Sequence, residues 1–318
     1  MGMNLPELGE QLKFLFTQYV GQGRPLQLAF TFTKAYAGWN TAGMVGIYLI
    51  GLFVLSLNAV LFYFLLKRIS NPTFAFLGGL IFCLYSADTN QTYLTRALGV
   101  FPSLTFFMLA VHLYLHNRKV LAYILSFFIL LTYETPFPLL YAMPLLTFKW
   151  DRKTLKALIV NAAVLTGILS TVFLIRFLLG EGRVTGLNLS DALIASISHM
   201  AIGPIVNLGT FFLRPFQAIQ GLQLSSMIAI AVSFFFFLII LTRLDFEDEI
   251  WKSPDQNWSH PVDWMVQMKG RAGRFLSKLT GPFLDVLPLI TVGFLFLVLG
   301  YTLTFTVRPY AISGRETR

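Results

Sequence analysis

Residues 43–66 read "GMVGIYLIGLFVLSLNAVLFYFLL", and residues 67–68 that follow are Lys-Arg. Twenty-four positions without a formal charge exceed the roughly 20 residues that cross a bilayer as a helix. A cationic pair directly after them is the signature of the cytoplasmic end of a span. The stretch therefore predicts a transmembrane helix running from outside to inside.

Composition agrees. Of 318 residues 56% are hydrophobic and only 12% charged, about half the charged share of a soluble domain. The mean hydropathy of +0.68 and 32 Phe are more apolar surface than an aqueous domain of this size can hide. The fold class this predicts is all-α, a polytopic transmembrane helical bundle that is multi-pass in the inner (plasma) membrane. Apolar stretches fall at 43–66, 73–86, 98–115, 120–133, 137–148, 157–179, 225–242 and 284–306. That makes about eight segments, several of them shorter than a full span and so tilted, extended by polar flanks or re-entrant.

The formal charge of +9 does not indicate nucleic acid, because the basic residues lie between apolar runs rather than on one exposed face. It reads as topology. Residues 67–68, 116–119, 149–156 and 243–283 hold 14 of the 24 Lys and Arg, which assigns these turns to the cytoplasm. Residues 1–42, 87–97, 133–138, 180–224 and the tail from Arg308 then face out. The expected single membrane domain, 1–318, divides into an outer amphipathic region (1–42), a helical bundle (43–179), an outer loop region (180–224), a span (225–242), a cytoplasmic loop (243–283), a span (284–306) and an outer tail (307–318).

This topology starts outside without a preceding helix, and the end "YAISGRETR" is turn-like, so a span upstream of Met1 and a longer parent protein are expected. Residues 4–20 predict an amphipathic helix on the outer surface, with an Asn4–Glu7 capping box and an apolar stripe of Leu5, Leu8, Leu12, Leu15, Phe16 and Tyr19. A second is expected from Ser190, with Leu193, Ile194, Ile197, Met200 and Ala201 on one face. In the inner loop Lys269, Arg271, Arg274 and Lys278 are placed to rest on anionic lipid headgroups.

No phosphate-binding glycine loop, nucleophile elbow or cysteine-rich metal spacing is present in the sequence. His112 and His116 share a helical face without an adjacent carboxylate, and read as interfacial polar rings rather than metal ligands. A divalent metal could neutralise a donor phosphate, but no ligand set is identifiable. The outer segments are richer. They place Arg24, Asp88, Arg96, Glu134, Arg176, Arg183 and Arg214 on one membrane face. A group-transfer enzyme acting on a lipid phosphate needs a carboxylate for the acceptor's proton and cations for the departing phosphate, and the guanidinium fork grips phosphate oxygens. Each residue also has a plainer reading: Arg176 snorkelling to headgroups, Arg96 anchoring a helix end, Asp88 capping a turn. For Glu134, between Thr135-Pro136 and an apolar helix, the plainer reading is a carboxylate accepting backbone N–H groups freed by Pro136 and Pro138.

The "GRPLQ" after an outer amphipathic helix, "LLTYETPFPLLYAMPLL" at 130–146, short spans alternating with basic inner turns, and the closing "ISGRETR" resemble bacterial membrane proteins of the C-type glycosyltransferase (GT-C) superfamily. That resemblance implies sugar transfer from a polyprenyl-phosphate-linked donor at the outer face, with membrane lipids around the bundle and an acidic residue of the first outer loop as base. The helix that precedes this acid in the superfamily has no counterpart here, and no catalytic residue carries over. The resemblance makes Glu134 the orienting partner of an arginine or of an acceptor hydroxyl. The competing readings are a transporter or flippase of lipid-linked or small polar substrates and a non-catalytic membrane protein. The first of these calls for matched helix breaks in two halves, and only one Pro-broken pair is seen.

Overall fold

The computed structural model describes residues 5–19, 23–69, 72–84, 98–147, 152–181, 189–220 and 290–300, with a few isolated positions besides. Their regular structure is entirely helical: α1 Leu5–Tyr19, α2 Pro25–Ile69, α3 Pro72–Leu84, α4 Phe101–Leu115, α5 Lys119–Thr132, a 3-10 helix Phe137–Thr147, α6 Arg152–Leu178 and α7 Leu189–Gln220. A short apolar helix, α8, covers Ile290–Leu299. The second amphipathic helix expected from Ser190 is longer than its apolar stripe, continuing to Gln220.

The helix α2 is two arms joined by a sharp bend, where Ala42 (φ −150°, ψ 27°) and Gly43 (φ 61°, ψ −139°) leave helical geometry. The bend orphans the last carbonyls of the first arm. The Thr41 hydroxyl donates to two of them, Ala37 O at 3.0 Å and Gly38 O at 2.9 Å. The 26 residues after the bend are long enough, at 1.5 Å each, to cross a hydrocarbon core of about 30 Å.

The turn between α4 and α5 is built from its own backbone. Asn117 takes a left-handed φ of 61°, a conformation asparagine tolerates better than most residues. Arg118 N–H donates to Leu113 O at 2.9 Å and Asn117 N–H to Tyr114 O at 3.0 Å, the double closure of a Schellman motif. Arg68, at the end of α2, donates from Nη2 to the orphan carbonyl of Leu115 at 2.9 Å. The Lys-Arg pair at 67–68 and the Arg-Lys pair at 118–119 thus share one end of the helices.

A single main core holds α4, α5, the 3-10 helix and α6 together. Val111, Ile129, Phe137, Leu140, Met143 and Leu165 are all fully buried in it. Among the polar side chains buried in the described residues, Asn58 and Asn161 each reach the backbone of a neighbouring element. Asn58 of α2 donates to Phe101 O at 3.2 Å and accepts from the Thr105 hydroxyl at 2.7 Å. Asn161 of α6 donates to Leu140 O at 2.9 Å and Tyr141 O at 3.3 Å. Pro144 has no N–H to offer the carbonyls three and four residues before it, and those are the two carbonyls Asn161 takes up. An amide in an apolar helix is thus the complement of a proline in its neighbour.

Among the described residues two helices, α2 and α6, are long and apolar enough to cross a membrane, and only 22% and 17% of their most apolar windows are buried. Phe53 is 66% exposed, and Leu174, Phe177 and Leu178 are also open. A core helix of an aqueous protein would hide these side chains. Contiguous exposure on this scale belongs to a surface that meets lipid or another apolar partner.

Candidate functional site

The helix α5 ends at Thr132 because Tyr133 turns extended, at φ −158°, ψ 118°, ahead of two prolines that cannot continue a helix. Glu134 follows in the turn. The N–H groups expected to seek its carboxylate are satisfied by main chain: Phe137 N–H donates to Glu134 O at 3.0 Å and Leu139 N–H to Pro136 O at 3.2 Å. Besides a hydrogen bond from its own backbone N–H, the carboxylate takes a cation. Arg24 Nε donates to Glu134 Oε2 at 2.8 Å, and Arg24 Nη2 donates to Oε1. This is a two-pronged match of guanidinium and carboxylate planes. The Tyr133 ring covers the guanidinium, 4.4 Å from centroid to Cζ.

Arg176, near the end of α6, lies beside this pair. Its Nη2 donates to Leu130 O at 2.6 Å and Gly23 O at 2.5 Å. Leu130 O is orphaned by the end of α5, since residue 134 is no longer helical. After α6 the chain closes a second Schellman turn, with Gly180 at φ 70° and Glu181 N–H donating to Arg176 O at 3.1 Å. That turn folds the Glu181 side chain back until Oε2 is 3.6 Å from Arg176 Nε, where it is 1% exposed.

Gly23 is the keystone. Its φ of +65° suits glycine, and a Cβ there would sit 2.2 Å from Glu181 Oε2 and 2.6 Å from Arg176 Nε. Two guanidiniums and two carboxylates from three distant segments therefore close into a neutral cluster around one glycine. Burial works against ionising Glu134, but the hydrogen bonds and charge of Arg24 outweigh it and hold the carboxyl below the usual range. Burial likewise opposes the charge on Arg24, and the Glu134 carboxylate more than restores it.

Of the residues singled out in the sequence, Arg24, Glu134 and Arg176 are brought into one cluster. Asp88, Arg96 and Arg183 lie outside the described residues. Arg214 falls in α7, where only the backbone is described. Glu181 and Gly23 were not anticipated. The signal for Glu181 was a Gly-Glu-Gly run five residues after an arginine at an apolar helix end. His112 Nε2 contacts Leu61 O at 3.0 Å, and His116 Nδ1 contacts Arg68 Nη1 at 3.3 Å. Both rings serve helix contacts at the basic end. Among the described residues no group of three or more His, Cys, Asp or Glu side chains is placed to hold a metal ion.

Among its described residues the chain has helices and no strand, two of those helices long and apolar enough to cross a membrane, and a four-charge cluster at one end of α5. Comparison with protein families, with characterised proteins and with solved structures found no match.

Proposed function

We propose that this chain is a multi-pass inner-membrane protein that transfers a sugar from a polyprenyl-phosphate-linked donor at the outer face, as a GT-C-type glycosyltransferase. The observation that carries the reading is the meeting of Arg24, Glu134 and Arg176 at the end of α5 opposite the basic turn of Arg118 and Lys119. Cations on inner turns and a mixed cluster at the far end match a positive-inside bundle with a polar outer site. The shorter helices α3, α4, α5 and the 3-10 helix would complete the bundle by packing on α2 and α6. Arg24 is the group suited to a donor phosphate, and Glu134 is its orienting partner rather than the base.

A second reading rests on how far the cluster's charges engage one another. Arg24 is engaged by Glu134, and Arg176 by two carbonyls and Glu181. That favours a non-catalytic membrane protein in which the cluster is a clasp between helix ends. Assaying the purified chain with polyprenyl-phosphate sugars separates the two. Turnover that is lost in folded Glu134→Gln and Arg24→Lys variants supports the enzyme. Turnover that persists in both removes these residues from the chemistry, and failure of the unaltered chain to turn over any such donor leaves the clasp.

A further inference from the structure

An apolar groove of about 420 Å³ runs between α5 and α6, lined by Val120, Tyr123, Ile124, Phe127, Val164 and Ile168. The four α5 residues follow the spacing of one helical face and extend about 10 Å along the axis. Val120 is 73% exposed and Ile124 is open as well, so the described helices leave the groove uncovered.

One end of the groove is cationic. Arg118 and Lys119 immediately precede Val120, are both exposed, and have no ion-pair partner among the described residues. The Lys119 ammonium lies 5.6 Å over the Tyr114 ring, which packs edge-on against Tyr123 at 6.5 Å. Through these rings the cation is joined to the groove wall. No side chain caps the first turn of α5, so its unbonded N–H groups add positive potential at the same point.

We infer that this groove and the α4–α5 turn form a binding site for an anionic phospholipid of the inner leaflet. The acyl chain lies along Val120–Phe127, and the phosphate is held by Arg118, Lys119 and the first-turn amides of α5. The complementarity is twofold, apolar along the helix and cationic at its end. The assignment rests on the membrane reading and is independent of any sugar-transfer activity.

Native mass spectrometry of the full chain in detergent, with dioleoylphosphatidylglycerol or dioleoylphosphatidylcholine as probe, tests it. The anionic lipid is expected to bind about thirtyfold better, the preference two juxtamembrane cations provide. Replacing Arg118 and Lys119 together by Ala, at exposed positions where folding is preserved, should bring the ratio near one. Ile124→Trp, which fills the groove, should reduce retention of both lipids. Equal binding of the two lipids to the unaltered chain, a ratio unmoved by the double replacement, or a groove closed by a second copy seen as a lipid-insensitive dimer each overturns the site. A carbonate wash of membranes checks the membrane reading separately: release of the chain defeats that reading, whereas retention without lipid preference defeats only the groove.

Discussion

Arg24 and Glu134 lie 110 positions apart in sequence and meet fork to fork, with Nε 2.8 Å from Oε2. The pair pins the start of α2 to the end of α5. Its two side chains are only 23% and 16% exposed, so solvent screens it weakly. Removing one member leaves the other's charge stranded in a dry place, which costs more than the pair itself contributes.

Glu134→Gln and Arg24→Ala are each expected to destabilise the fold by about 3 kcal/mol, read as a fall in the thermal unfolding midpoint in detergent. The double replacement Arg24→Met with Glu134→Leu should recover much of that loss. Additive losses in the double variant would show that the two side chains do not act as a pair.

The same pair predicts a pH dependence. Arg24 holds the folded-state Glu134 carboxyl below its ordinary value, so the unfolded chain binds its proton first. The stability this provides is fully present above the unfolded carboxyl's value and is lost as pH falls through the lower folded value. Unfolding midpoints measured from neutral to acid should drop more steeply in the unaltered chain than in Glu134→Gln. Parallel profiles would contradict the assignment.

Gly23→Ala introduces a methyl group 2.2 Å from Glu181 Oε2 at a left-handed residue. The conformation alone costs about 1–2 kcal/mol, and the methyl also displaces the Arg176–Glu181 contact. A larger loss is therefore expected for Gly23→Ala than for Gly9→Ala, since Gly9 lies in α1 with open space around it. Equal unfolding midpoints for the two variants would refute the keystone role.

Asn161 and Pro144 should be energetically coupled. Asn161→Leu leaves the Leu140 and Tyr141 carbonyls without their donor, at a cost of about 1–3 kcal/mol. In a Pro144→Ala background a backbone N–H becomes available, and the same replacement should cost clearly less. A double-mutant cycle on unfolding midpoints measures the difference, and a coupling near zero would sink the proposed complementarity.

Much of this organisation was legible in the sequence because its causes are local. The charge-free run at 43–66 specifies a helix long enough to span, Pro136 and Pro138 end α5, and alternating apolar and basic segments set the expected topology. Glu134 could be flagged because a lone carboxylate among apolar runs demands a partner.

Which partner it takes was decided only by tertiary structure. Five arginines assigned to the outer face were equivalent by sequence as partners, and nothing local distinguishes Arg24 from Arg96 as the match for Glu134. Packing of α2 on α4 and α5, and of these against the 3-10 helix and α6, brings the helix ends together, and that proximity selects Arg24, Arg176 and the unanticipated Glu181. The role of Asn161 was equally hidden, because its reason is a proline on another helix. Local sequence sets what each segment must satisfy, and the packed chain determines which distant group satisfies it, since pairing energy depends on distance and burial that exist only after folding.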